Sequence, residues 1–188
     1  MARPKNEERR QSIIDSAIRL IAREGLSAAT AAIAKEAGVP NGSLFTYFAT
    51  KAELLNTLYL EVKQELISFV EDGLSDAGGE HEQLLHLWTR WTHWGAANPE
   101  KRQMLAQLSV SDEVLETTRE AVLAAAQGPV NLVQRVARQG ALRNQDPALA
   151  GALVESLADT ATDFMSRDPE QAEQICLATF EFLWNALR

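Results

Sequence analysis

The chain has a single cysteine, two tyrosines and no apolar run near the ~20 residues that span a bilayer. Each shortage excludes something. Cys176 alone cannot close an intramolecular disulfide, and 188 residues are enough to bury roughly 70% of the unfolded surface without staples. Apolar stretches such as 148–154 are too short to cross a membrane, and no N-terminal apolar segment reads as a signal peptide. A soluble cytoplasmic protein with no membrane partner is therefore expected. The sequence shows no Ser/His/Asp elbow, paired-cysteine motif or phosphate loop, so it is not expected to be an enzyme or to carry a cofactor. Internal repeats, low-complexity tracts and convincing strand patterns are also missing, which leaves an all-α chain of about nine helices.

Positive charge is scarce overall, with a net charge of −8, but it is unevenly placed. Residues 1–51 hold eight Lys/Arg against five acids, giving +3, and the remaining 137 residues carry −11. Phosphate binding depends on local cations that release counterions, so a basic head on an acidic body can still bind nucleic acid, with the body's repulsion helping to orient it.

The densest pattern lies between Ile33 and Leu55, IAKEAGVPNGSLFTYFATKAELL. Ile33, Ala34 and Ala37 form a helical apolar face, and Gly38 can take the left-handed conformation that stops a helix. Val39 turns inward and Pro40 fixes φ where a new helix begins. Leu44, Tyr47 and Phe48 then recur at helical spacing, while Asn41, Ser43 and Thr46 stay outward. Thr50 and Glu53 form a capping box for a third helix through Leu54, Leu55 and Leu58. Short helix, glycine turn, short helix and capped helix is the pattern of a helix-turn-helix.

These residues resemble a known family. Ile33-Ala34, Ala37-Gly38-Val39, Gly42, Leu44-Phe45, Tyr47-Phe48 and Lys51 are similar to the signature IAxxAGVxxGxLYxYFxxK of the tetracycline-repressor-type (TetR) transcriptional regulators. The motif covers about a quarter of the chain. The resemblance implies a DNA-binding head at 1–50 and a helical regulatory and dimerisation body at 51–188. It also implies that the positions of Phe45, Tyr47 and Lys51 work against the DNA backbone. Two departures matter. Ala28-Ala29-Thr30-Ala31-Ala32 stands where relatives commonly have a Thr cap and a basic residue, which predicts weaker phosphate anchoring from the second helix. Phe45 replaces a tyrosine and lacks its hydroxyl.

A recognition helix must bring three or four side chains to base edges while its neighbours hold phosphates. Asn41 can pair bidentately with adenine, Thr46 can offer a hydroxyl or a methyl to thymine, and Gly42 lets the backbone approach closely. Ser43, Tyr47 and Lys51 can reach phosphate oxygens. Leu44 and Phe48 read as the small core of the head.

Outside the motif, a helix is expected over Glu8–Arg23 behind a polar tail at Met1–Glu8, with the next starting at Ser27 or Ala28. Further helices are expected over about 51–73, 82–97 and 99–108, with Asp76–Glu80 a linker. Ser111 is expected to cap a helix running into Ala126, which Gly128-Pro129 kinks or interrupts before Val130–Gln139. Asp146-Pro147 and Asp168-Pro169 set a capping Asp before a proline and start the last two helices.

Trp88, Trp91 and Trp94 share one broad helical face, which suits ordinary core or, with Met104, Leu132 and Phe164, the wall of an effector pocket. Glu82, His86 and His93 lie on the opposite face. Histidines two turns apart do not converge on one ion, so no metal site is expected. In the last two helices Leu149, Ala152, Leu153, Leu157 and Ala161, with Ile175, Cys176, Phe180 and Leu183, suit close helix packing. They fit either a dimer face or an intramolecular core, and the resemblance favours the dimer. The expected function is a homodimeric repressor that binds a palindromic double-stranded operator and is released by a small-molecule effector. The competing reading is an effector-binding or protein-interaction module whose N-terminal fold is only structural.

Overall fold

The computed structural model describes residues 5–75 and 77–188, all helix and connecting loop, in ten α-helices and one 3-10 turn. In chain order these are α1 (Lys5–Glu24), α2 (Thr30–Glu36), α3 (Asn41–Tyr47), α4 (Lys51–Glu71), α5 (Glu80–Ala97) and α6 (Pro99–Ser109). There follow α7 (Glu116–Ala125), α8 (Gln127–Ala137), α9 (Pro147–Arg167), the turn Pro169–Gln171 and α10 (Ala172–Leu187). The all-α expectation holds.

Among the described residues two compact units form, one within 5–63 and 99–122, the other within 64–75, 77–98 and 123–188. This line differs from the division at residue 50 that the motif suggests, because α6 folds back onto α1. In the first unit Ile13, Ala17 and Ile21 of α1, Ile33 of α2, Leu44 of α3 and Leu54 and Leu58 of α4 are fully buried. Met104 and Leu108 of α6 are buried as well, and Gln107 donates to the Ile21 carbonyl near the end of α1 at 3.1 Å. In the second unit α5 packs on α8, α9 and α10, and α9 packs on α10. Its core holds Trp88, Leu132, Val136, Ala158, Cys176 and Phe180.

Several element starts differ from expectation for local reasons. α1 already includes Lys5–Glu8, and the tail reading of Met1–Pro4 lies outside the described residues. α2 opens at Thr30 rather than Ser27 or Ala28, since Ala28 turns into the core at 3% exposure. Ser111 does not cap a helix: its hydroxyl accepts from the Glu113 amide in a tight turn, and α7 begins only at Glu116. Gly128-Pro129 interrupts the run as expected, α7 ending at Ala125 and α8 opening at Gln127. Pro129 lies in the first turn of α8, where an amide has no intrahelical partner to lose. The two Asp-Pro starts form as expected, Asp146 accepting from the Ala148 amide at 2.9 Å and Asp168 from the Gln171 amide at 3.3 Å.

Candidate nucleic-acid interface

The turn between α2 and α3 is made by backbone. Ala37 ends α2, Gly38 takes φ +67°, and the Val39 amide reaches back to the Ala34 carbonyl at 3.0 Å. A left-handed residue at this place tightens the chain enough to redirect it within three residues. Pro40, at φ −57°, then opens α3, and the Ser43 amide closes the first turn onto the Pro40 carbonyl at 2.8 Å. α3 stops at Phe48, which is extended and buried. With seven residues, α3 cannot persist alone and is held by Leu44 beneath it.

One side of α3 is therefore sealed and the other open. Asn41, Gly42, Phe45 and Thr46 are exposed, Ser43 and Tyr47 are half-buried at the edges, and Leu44 is fully buried. Phe45 stands out as a large apolar ring at 45% exposure. Gly42 needs no left-handed backbone, and a Cβ built on it would meet nothing within 4 Å. Lys51, half-buried at the start of α4, donates from Nζ to the Leu26 carbonyl at 2.6 Å. An ammonium has three donors, so two stay available for an anion.

The start of α4 departs in one detail from a reciprocal capping box. The Glu53 amide donates to Thr50 Oγ1 at 3.0 Å, but the Glu53 carboxylate accepts from Ala49 rather than Thr50. The basic surplus of the head is also partly spoken for. Arg10 is paired with Glu61, Arg19 with Glu36 at 2.8 Å, and Arg23 with Glu24 at 2.8 Å. The Glu61 bond, more than its charge alone, raises the Arg10 guanidinium above its ordinary value.

A connection that the sequence patterns do not reveal centres on Asn56 of α4. Its amide nitrogen donates to the Glu113 carbonyl at 2.8 Å, and its oxygen accepts from the Leu115 amide at 2.9 Å and the Thr118 hydroxyl at 2.7 Å. Asn56 thus caps α7 from another helix. Arg119 secures the same loop from α7, donating to the Ser109 and Ser111 carbonyls at 2.8 Å each.

The residues expected to line an effector pocket are divided between the two units, five in the second and Met104 in the first. Trp88 is buried and donates to the Cys176 carbonyl at 3.1 Å; Trp94 is buried and donates to Glu65 at 3.2 Å. Trp91 is half-buried, Leu132 is buried on α8, and Met104 is buried in the first unit. Phe164 does not face the interior at all: at 54% exposure it looks outward from α9. His86 bonds the Asp72 carbonyl at 3.0 Å and His93 meets Glu173 at 3.3 Å, so the two rings go separate ways.

The expected dimer set divides in two. Leu149 and Leu153 are exposed at 40% and 49%, Ala152 is exposed beside them, and Leu157 and Ile175 are half-buried. Ala161, Cys176, Phe180 and Leu183 are at most 3% exposed within the single chain and cannot form a dimer face, because they are already covered inside it, Cys176 beside Thr89 and Thr92 and Phe180 edge-on to His81 of α5. The outward α10 residues that helical periodicity passed over are Leu177 and Phe182, at 44% and 67%. Among the described residues no helix is long and apolar enough to cross a membrane.

A sealed inner face, a glycine-stopped turn and an outward-facing second helix define a helix-turn-helix. Residues 13–58 match the model of the bacterial regulatory proteins of the tetR family. The chain is 26% identical over 130 residues to the fatty acid metabolism regulator protein of Bacillus subtilis (strain 168), covering 68% of this chain and 66% of that protein. It is 30% identical over 107 residues to the HTH-type nicotine-responsive transcriptional repressor HdnoR of Paenarthrobacter nicotinovorans, covering 55% and 53%. The chain thus spans a little under two thirds of the first relative and about half of the second. A tetR family transcription regulator from Shewanella sp. PV-4 superposes with a TM-score of 0.83 at 29% identity, over 94% of this chain and 96% of that one. Residues 13–58 thus carry the N-terminal domain of the tetR family of bacterial regulatory proteins, and the chain as a whole is similar to solved TetR-type regulators.

Proposed function

We infer that the protein is a homodimeric repressor that places α3 of each copy in successive major grooves of a palindromic operator and lets go when a small molecule binds. The observation that carries this is the two-sided α3, with Leu44 sealed beneath it and Asn41, Gly42, Phe45 and Thr46 open. Asn41 is suited to adenine, Thr46 to thymine, and Ser43, Tyr47 and Lys51 to phosphates along the rim.

Exposed apolar side chains on α9 and α10, Leu149, Leu153 and Phe164 with Leu177 and Phe182, support pairing with a second copy. A two-fold dimer then matches a two-fold operator. Release requires an effector that binds the DNA-incompetent state more tightly, typically by about 1–3 kcal/mol of coupling. The two curated relatives carry names tied to fatty acid metabolism and to nicotine, so resemblance does not fix the effector's chemistry. Trp88, Trp91 and Trp94 remain the natural reporters: their fluorescence should change across an effector panel with any compound that releases DNA.

Selection of bound sites from a random duplex pool tests the reading. Enrichment of a palindrome, with affinity falling steeply with salt, supports it. Absence of any salt-dependent enrichment refutes it and favours an interaction module whose head is only structural.

A further inference from the structure

We propose that Ser12 is a positioning residue for DNA reading: its hydroxyl pins the turn between α2 and α3 to α1 and so fixes the angle at which α3 meets the groove. This rests on α3 being the DNA-reading helix. A hydroxyl in a helix interior has the carbonyl four residues before it within reach. Ser156, Thr160, Thr162 and Ser166 of α9 all bond that carbonyl, at 2.7–2.9 Å. Ser12 of α1 instead donates to the Ala37 carbonyl at 3.0 Å, 25 positions along the chain.

Ala37 caps α2 immediately before the left-handed Gly38. Carbonyls at a helix end have no intrahelical partner, and two neighbours are satisfied within the turn itself, Lys35 by the Gly38 amide at 3.2 Å and Ala34 by the Val39 amide at 3.0 Å. Those bonds shape the turn but tie it to nothing else. The Ser12 bond ties it to α1, whose Ile13, Ala17 and Ile21 are fully buried. The Arg19–Glu36 pair joins the same two helices, but its side chains are partly exposed and their attraction is screened by salt. At the far end of α3, Phe48 is buried with the Arg10 guanidinium over its ring, 5.5 Å from the centroid. Two held ends give a short rod its direction. At about 1.5 Å per residue the seven residues of α3 span about 10 Å, so a pivot of about 10° about one end moves the other by about 2 Å. Base-edge hydrogen bonds form over a range of about 0.5 Å and are lost by that shift, whereas long side chains can follow a phosphate.

The test uses the full chain, the operator obtained by selection and a random duplex, with both affinities measured by fluorescence anisotropy. Ser12→Ala should lower operator affinity about fivefold, the effect of one hydrogen bond, while random-duplex affinity and the salt slope stay unchanged. Hydrogen exchange at the Val39 amide should speed up in the same variant. Ser12→Thr restores the hydroxyl and should recover the operator affinity. Circular dichroism melts check that both variants fold, and binding is read well below the melting temperature, so a loss of stability alone does not move the operator-to-random ratio. If Ser12→Ala keeps that ratio, or Ser12→Thr does not restore it, the proposal is overturned while the DNA-reading helix stands. If the wild type enriches no sequence at all, the reading of α3 falls and this assignment with it.

Discussion

At the scale of single residues, Gly42 separates what the fold requires from what a ligand would require. Its backbone is not left-handed and a methyl added there meets nothing, so Gly42→Ala should leave the melting temperature unchanged or raise stability by up to about 1 kcal/mol. Operator affinity should nevertheless fall, because the methyl stands where DNA comes closest; unaltered affinity would show that the backbone stays clear of the groove. Gly38 is the contrast. Its φ of +67° makes Gly38→Ala cost about 1–2 kcal/mol by strain alone, seen as an earlier chemical unfolding midpoint. Lys51 and Asn41 should part in a different way. Lys51→Ala is expected to weaken all sequences alike and lower the salt slope by about one, whereas Asn41→Ala should cost about 1–3 kcal/mol at one base position. Equal, sequence-blind losses for both would remove Asn41 from base reading. Because Lys51 Nζ also holds the Leu26 carbonyl, its loss should reduce stability by about 1 kcal/mol as well.

At the scale of elements, what was legible in the sequence is what local chemistry decides. The starts of α9 and α3 could be read because Asp146-Pro147 and Gly38-Val39-Pro40 carry their signals within three residues. The start of α7 could not. Its cap is Asn56, almost sixty positions earlier in the chain, and the nearer Ser111 spends its hydroxyl on a turn. Asn56 joins the loop between α6 and α7 to α4 through three contacts, so Asn56→Ala should cost about 1–3 kcal/mol and speed hydrogen exchange at the Leu115 amide. Asn56→Asp keeps the oxygen acceptor but loses the donor to Glu113, and should retain the Leu115 protection while losing part of the stability. Protection of Leu115 that survives Asn56→Ala would mean that α7 is capped by its own residues.

At the scale of the whole molecule, apolar periodicity shows that a helix has a greasy side without showing what covers it. α9 carries two such sides. Ala150, Val154, Ala158 and Ala161 are buried within the chain, while Leu149, Leu153 and Phe164 face out, and both sets recur at helical spacing. α10 likewise turns Cys176, Phe180 and Leu183 inward and Leu177 and Phe182 outward. Only the packed structure separates the two sets, and the separation makes oligomerisation testable. Phe180→Ala empties a buried site and should cost about 3–5 kcal/mol whatever the oligomeric state. Leu153→Glu and Phe182→Glu touch exposed positions and should leave the helical content intact, but a charge facing a second copy prevents close approach. Sedimentation should then report a monomer. Affinity for a palindromic operator should fall toward that for an isolated half-site, because two heads no longer act as one ligand. A variant that sediments like the wild type and keeps its palindromic affinity would place the assembly interface elsewhere than on these outward faces of α9 and α10.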